Sequence, residues 1–392
     1  MRIGIVGFLG ALLIGSQVSA QIPKLGSSDR LDVATWNIEW FGNGSNGPSN
    51  DEQQLQYASD ILNTLDLDIM AVQEISNVAY WNRLLSNCSN YSGILSSWSQ
   101  TQKTGLLFKK NQFEFLYQKH ILANFDYDFG GGRLPLEVGL IPQHPNWPKG
   151  DTLRIWVLHM KANTGSSSSK VQAYNRRYNA GVALKMYVDK LGKSNKGLIM
   201  GDWNDDFDQS ILSGYATPYQ NYIKDTNYVV NSFPLSLTKQ KSTVSYSDMI
   251  DHIVCTPGLK NQWIADSSMV LYADKWISNY GNVVSDHYPV FTKFKWLGSD
   301  NNISCIDIKY SELKLKLENG GLIFSCENSK ITEFEELRIY DLSMKEVIRT
   351  KSRFFESPVE DKWYVYELLS GNGASLHAGF FSVSQDGHIL YR

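Results

Sequence analysis

The run Asp68-Ile69-Met70-Ala71-Val72-Gln73 restricts the fold of this chain more than any other segment. Its four consecutive apolar residues leave no face for water. Such a run suits a strand covered on both sides, within a sheet that has structure above and below it. Further strands are expected at Leu31 to Trp40, Gly105 to Phe108, Leu136 to Ile141, Leu153 to His159, Leu198 to Gly201, Ile250 to Val254 and Val290 to Lys295. Two helices interrupt them. Asp51 opens one, with Leu55, Ala58, Ile61, Leu62 and Leu65 at helical spacing. The other runs between Lys170 and Leu191. Tyr174, Tyr178, Val182 and Met186 repeat along it every four residues, and Arg176, Arg177, Lys185 and Lys190 lie off that row.

Strands and helices intermix up to about Trp296, and the texture then changes. Gly298-Ser299-Asp300-Asn301-Asn302 reads as a linker, and residues 303–392 read as a small all-β sandwich. A chain of 392 residues fits this two-domain division, with residues 21–298 as the first domain. Residues 1–20 read as a signal peptide: Arg2, an apolar stretch from Ile3 to Gly15, and Val18-Ser19-Ala20 as the cleavage pattern before Gln21. No later stretch is apolar enough for stable membrane insertion, so a secreted or surface-attached protein is expected. Export permits disulfides, and Cys88, Cys255, Cys305 and Cys326 allow three pairings. Cys305 and Cys326 could staple one small domain, and Cys255, in an apolar run, could be a buried thiol. A formal charge of -3 excludes wholesale wrapping by phosphate backbones but not local contact with them.

Six polar clusters share one placement, at the end of an expected strand. They are Trp36-Asn37-Ile38-Glu39, Gln73-Glu74, His159, Gly201-Asp202-Trp203-Asn204, Asp251-His252 and Ser285-Asp286-His287. Alone, each is an ordinary turn or surface feature. Together they supply what phosphate-ester cleavage needs: carboxylates for a hard cation, histidines for proton transfer near neutral pH, and neutral amides that hold a phosphoryl oxygen without repelling it. Asp251 and His252 should face opposite sides of their strand, which leaves His252 a structural role.

These clusters resemble the endonuclease/exonuclease/phosphatase superfamily, and within it the pancreatic deoxyribonuclease branch and bacterial secreted nucleases. The similarity is carried by Ala34-Thr35-Trp36-Asn37-Ile38-Glu39-Trp40-Phe41-Gly42, Asp68 to Glu74, Leu158-His159, Gly201-Asp202-Trp203-Asn204, Ile250-Asp251-His252-Ile253 and Ser285-Asp286-His287-Tyr288-Pro289-Val290. It implies an α/β fold, a four-layer sandwich of two packed mixed sheets flanked by helices. It implies metal binding by Asn37, Glu74 and Asp286, with magnesium as the cation and manganese or calcium as the other hard candidates. His287 would take a proton from water, with Asp286 orienting its imidazole. Asp202 and Asn204 would hold the nucleophile and the phosphoryl oxygen. Asp251 would partner His159, which assists the leaving group. Arg133 would clamp backbone phosphate, with Lys161 as a second phosphate contact; the plain reading of Arg133 is a solvated arginine after Gly130-Gly131-Gly132.

Relatives of this kind act on nucleic acid, inositol phosphates or sphingomyelin. Ser247-Asp248-Met249-Ile250-Asp251-His252 lacks the pattern of the inositol phosphatases. A lipid phosphodiesterase needs an apolar docking loop, for which Trp147 is the candidate tip. A catalytically dead surface-binding relative is the third reading. Magnesium-dependent cleavage of nucleic acid, DNA first, by a monomer is the main expectation. Leu337 to Leu342, Leu376 to Val383 and Asp386-Gly387 resemble type IX secretion sorting domains, although the usual Pro-Asn-Pro is missing; the secretion machinery would then be a partner.

Overall fold

The computed structural model describes residues 22–297 and eight strands between residues 313 and 391. The expected signal peptide lies outside the described residues, as do Cys305 and the side chain of Cys326. The chain divides into two compact units, Met1–Gly298 and Ser299–Arg392.

The first unit contains two six-stranded mixed sheets. One is built from β1 (Arg30–Phe41), β2 (Ile69–Ile75), β3 (Tyr91–Leu95), β4 (Lys103–Lys109), β11 (Met269–Val270) and β12 (Val290–Lys295), in the order β11-β12-β1-β2-β4-β3. The other is built from β5 (Phe113–His120), β6 (Leu136–Pro142), β7 (Leu153–His159), β8 (Lys196–Asp202), β9 (Val229–Val230) and β10 (Asp251–Cys255), in the order β5-β6-β7-β8-β10-β9. Each sheet contains one parallel pair, β1 with β2 and β7 with β8. A helix crosses between the members of each pair, α1 (Asp51–Leu65) in the first case and α3 (Ser167–Asp189) in the second. A further helix, α2 (Val78–Asn87), follows β2.

Three apolar layers result. Leu31 and Val33 of β1, Ile69 and Ala71 of β2, Ile155 and Val157 of β7, Leu198 and Met200 of β8, and Ile253 and Cys255 of β10 meet between the sheets. Ala34, Trp36, Met70 and Val72 face the other way, toward Leu55, Ala58, Ile61 and Leu62 of α1. Trp156, Leu158 and Ile199 pack against Ala180, Leu184 and Val188 of α3. This is the four-layer sandwich expected from the resemblance. Cys88 and Cys255 are buried free thiols.

Helix α3 buries a different face from the one its aromatic row implied. Tyr178 and Met186 are 50% and 58% exposed, while Ala173, Arg177, Ala180, Gly181 and Leu184 are buried. Small residues let the helix lie close: a Cβ on Gly181 would come within 2.9 Å of the Tyr219 ring. Arg177 is fully buried because it has partners. Its Nε and Nη2 donate to Asp205 Oδ2 at 3.0 and 2.8 Å, and Nη1 donates to the Lys161 carbonyl at 2.9 Å.

Trp147 is not an exposed tip. It is buried edge-on against Trp296, at 6.4 Å between ring centroids, and donates to the Asp151 carbonyl. Among the described residues no helix is long and apolar enough to cross a membrane.

In the second unit Leu313–Glu318, Gly321–Cys326 and Phe354–Glu356 form one antiparallel sheet. Glu346–Thr350, Glu336–Asp341, Trp363–Leu369, Ser375–Val383 and Ile389–Tyr391, in that order, form another.

Replacing one partner of a buried ion pair strands the other charge. Arg177→Met is therefore expected to lower unfolding free energy by about 3–5 kcal/mol in urea denaturation. A loss below about 1 kcal/mol would mean that Asp205 is held without it.

Candidate active site

Strand periodicity delivers the site. Side chains alternate faces, so the residues that fill the inter-sheet core continue, two positions on, as polar residues at the strand ends. On β1 the series is Leu31, Val33, Thr35, Asn37; on β7 it is Ile155, Val157, His159; on β8 it is Leu198, Met200, Asp202. Strand β10 runs opposite to β8, so its first residue, Asp251, sits beside Asp202 in register. His159 also pairs in register with Asp202. The two sheets meet here: Asn37 Nδ2, from one sheet, donates to Asp202 Oδ2 of the other at 3.1 Å.

Glu74 breaks the alternation. It adopts φ 62° where the β1–β2 register shifts, and this re-aims its side chain. Its Oε1 accepts from Asn37 Nδ2 at 3.1 Å and its Oε2 from the Trp40 amide at 3.1 Å. These two bonds offset the left-handed backbone. Asn204, at φ 53°, follows the same logic. Its amide donates to Asp202 Oδ1 at 2.9 Å and its Nδ2 to the Met160 carbonyl at 3.2 Å.

The histidine pairings differ from the sequence expectation. His287 Nδ1 meets Asp251 Oδ2 at 2.8 Å. Asp286 lies 3.8 Å from Nε2 and is half exposed, so it does not orient the ring. Asp251 orients His287 and not His159. The reason is register: the Thr243–His287 bridge, with the neighbouring Ser242 Oγ accepting from the Ile250 and Asp251 amides, lays His287 against the start of β10. His159 instead faces Arg133, whose Nη1 is 2.5 Å from its Nε2. Arginine can only donate, so Nε2 is the acceptor and the imidazole is neutral. Arg133 is thus no solvated loop residue. It reaches into the site.

Electrostatics separates the two histidines. Burial, then Arg133 and His287, hold His159 well below its ordinary value. Burial also opposes charge on His287, but Asp251, Asp286 and Asp202 outweigh it and hold that imidazole well above its ordinary value. Burial, then the charge of Asp251, push the Asp202 carboxyl up to about 7, and Glu74 adds to the effect. Glu39 is pushed up to about 7 by burial, Asp286 and Glu74.

Burial is the first cause of both carboxyl shifts and neighbouring carboxylates add to it; a divalent cation would relieve that added repulsion. The donors are hard oxygens that suit magnesium or calcium. Asp251 Oδ1 is buried without a hydrogen-bond partner, and Asp202, Asp251 and His287 offer ligand atoms within 4.8 Å of one another. The site residues therefore fit a cation.

One positioning residue, Gln54, carried no sequence signal; Ser285 and Glu39 lay in the polar clusters without an assigned role. Gln54 of α1 shares its Nε2 among the carbonyls of Ile38, Glu39 and Val284, at 3.1, 2.9 and 3.0 Å. Ser285 Oγ donates to the Asn37 carbonyl at 2.7 Å, and Glu39 Oε2 accepts from the Asp286 amide at 3.0 Å. Together they lash the Ser285-Asp286-His287 segment to the end of β1. His252, as expected, points away, with Nδ1 at Ser232 Oγ (2.8 Å) and Nε2 at the Met249 carbonyl (3.1 Å).

Two mixed sheets presenting two histidines and several carboxylates at their shared edge define a class of phosphoester hydrolases. The sequence model described as the Endonuclease/Exonuclease/phosphatase family matches residues 34–287, and the chain belongs to that family. No curated protein matches the chain. Among solved structures it is similar to D. rerio TDP2 complexed with single strand DNA product. That likeness has a TM-score of 0.51 at 15% identity, over 68% of this chain and 99% of that one. The catalytic domain of human Nocturnin with bound sulfate aligns at TM-score 0.51 and 18% identity, over 69% and 96%. A family protein from Bacteroides vulgatus aligns at 0.50 and 15%, over 68% and 99%. At these identities the likeness shows the fold.

Asn37 is a neutral donor between two carboxylates. Asn37→Asp adds a third negative group there, and melting in chelator is expected to fall by several degrees. Added magnesium should then raise the melting temperature more than it does for the unaltered protein, since ligand stabilisation scales with affinity. An equal response in both proteins would remove Asn37 from the cation's surroundings.

Proposed function

We propose that the catalytic unit hydrolyses phosphodiester bonds of nucleic acid with a divalent cation bound, His287 acting as general base on water. One observation carries this reading: the buried His287–Asp251 pair, 2.8 Å apart, at the carboxylate cluster built by both sheets. Asp251 accepts a hydrogen bond from Nδ1; a cation offsetting the carboxylates that favour the imidazolium would free Nε2 of its proton, and Nε2 could then take one from water. Arg133 and His159 lie together in the site, and a phosphate there would draw the guanidinium into bidentate contact. Asn204 keeps one amide hydrogen for a phosphoryl oxygen, since its other bonds the Met160 carbonyl.

For the cation we assign Glu74, Asn37 and Asp286. The compact alternative of Asp202, Asp251 and His287 spends the imidazole that proton transfer needs. Bound there, a divalent cation supplies positive charge for the phosphoryl oxygens as bond breaking builds negative charge on them. The buried position of Trp147 removes the candidate docking loop of the lipid reading, and the intact cluster weighs against a dead relative.

The export reading accompanies this proposal: residues 1–20 as a cleaved signal, and residues 303–392 as a module handled by the type IX secretion machinery. Mass spectrometry of protein recovered outside the cell should find an N-terminus at Gln21 and loss of the C-terminal unit. Recovery of the full chain would refute both cleavages.

Activity is tested on plasmid DNA, RNA, sphingomyelin and phosphoinositide, each with magnesium and with chelator. Nucleic acid should be cleaved only with metal. His287→Ala should lower kcat by roughly 10²- to 10⁴-fold, the range of a lost general base. Cleavage of sphingomyelin but not of nucleic acid would replace this reading by the lipid one.

A further inference from the structure

Between β5 and β6 the chain makes a compact loop whose ends are fixed and whose middle is exposed. Phe129 and Leu134 are buried, and the Asp126 side chain accepts from the Gly132 amide at 2.8 Å. The Arg133 amide donates back to the Phe129 carbonyl at 3.2 Å. Against this rigid frame Tyr127 stands 56% exposed and Phe125 39% exposed. Helix α3 braces the loop from one side: Asn179 Nδ2 donates to Asp128 Oδ1 at 3.3 Å, and Arg176 donates to the Tyr127 carbonyl. The Arg176 guanidinium also lies over the Tyr127 ring, 4.2 Å from its centroid. One face of the ring thus carries the guanidinium, while more than half of the residue stays exposed.

The same loop ends in Arg133, which touches His159 in the site. Lys161, two residues beyond His159, lies within the electrostatic reach of Arg133 and Arg176, and the three are taken together as a basic strip. Among the described residues no carboxylate pairs with Lys161 or Arg176, and Lys161 is held below its ordinary value by burial and by Arg133, Arg176 and Arg177. Asp202 and Glu74 face Arg133, and Asp126 and Asp128 flank Tyr127, but among the described residues no ion pair forms to Lys161 or Arg176, which leaves those two cations for an anion to cover. An exposed ring beside them offers stacking that every base can use. The combination fits a strand whose phosphates and base faces are both accessible; a duplex hides its base faces.

We propose that this shelf binds single-stranded nucleic acid beside the cleaved bond, Tyr127 stacking a base while Arg176 and Lys161 hold a phosphate next to the scissile one. The inference rests on the phosphodiesterase reading of the adjoining site and names the form of its substrate. Paired duplex would meet the basic strip but not the ring. A lipid headgroup would meet the charges, but the shelf presents a tyrosine capped by a guanidinium where a bilayer would need aliphatic surface.

The test separates binding from cleavage. Full-length His287→Ala protein with magnesium is titrated into a fluorescein-labelled twelve-nucleotide thymidine strand, read by anisotropy. Adding Tyr127→Ala should raise Kd roughly tenfold, the range for loss of one base stack. Adding Tyr127→Trp should restore it. Arg176→Ala should flatten the dependence of log Kd on log salt by about 0.7, one phosphate contact on a single strand. Tight binding that Tyr127→Ala and Arg176→Ala both leave unchanged would overturn the shelf, whatever the cleavage assays show. So would an equal loss on a self-complementary duplex, or Tyr127-dependent binding to phosphatidylserine vesicles without any effect on the strand. Loss of the phosphodiesterase reading alone would show as strand binding with no cleavage of any substrate by the unaltered protein.

Discussion

The two-residue period of a β-strand governs the architecture and the chemistry together. Leu31, Val33, Ile155, Val157, Leu198 and Met200 close the space between the sheets. Farther along those same faces come Asn37, after Thr35, and His159 and Asp202, all buried at the strand ends. The site is therefore the polar end of the core, and its groups inherit the rigidity of the strands behind them. A one-residue slip of β1 or β8 would turn Asn37 or Asp202 into the outer layers, so core packing and site geometry constrain the same register.

Within that frame, charge decides roles. Burial makes each ionised group costly, and neighbours determine which one stays charged. Asp251 beside His287 favours the imidazolium, and Arg133 beside His159 forbids it. The two histidines thus differ in protonation without metal, and His287 could accept a proton from water only once a cation has offset the carboxylates that hold its own proton in place. Asn37 joins Glu74 to Asp202 without adding to the negative charge, which an aspartate in its place would do.

Support for this arrangement comes from polar groups behind the cleft. Arg177 ties the Lys161 carbonyl to Asp205 and so fixes the segments that follow His159 and Asp202. Gln54 fixes the ends of β1 and of the segment before Ser285. Gln54 satisfies several backbone groups and Arg177 one, and these would otherwise be buried unpaired. The loop carrying Arg133 is held in the same manner and reaches from the cleft to the exposed ring of Tyr127.

The sequence alone determined eight strands of the first unit, the two crossover helices and the composition of the site, because these follow from local periodicity and from residue chemistry; β3, β5, β9 and β11 were not legible in it. Apolar runs ending in Gln73-Glu74, His159 or Asp202 needed no knowledge of distant segments. It could not determine which face of α3 is buried: Tyr174 and Tyr178 formed the more regular row, yet Arg177 went inside because Asp205, 28 residues away, neutralises it there. Nor could it assign Asp251 to His287 or Arg133 to His159, since those contacts depend on how β10, β8 and the 243–287 bridge are laid side by side. Local pattern fixes what a residue can do. Tertiary structure fixes its neighbours, and for a buried charge the neighbours set its energy.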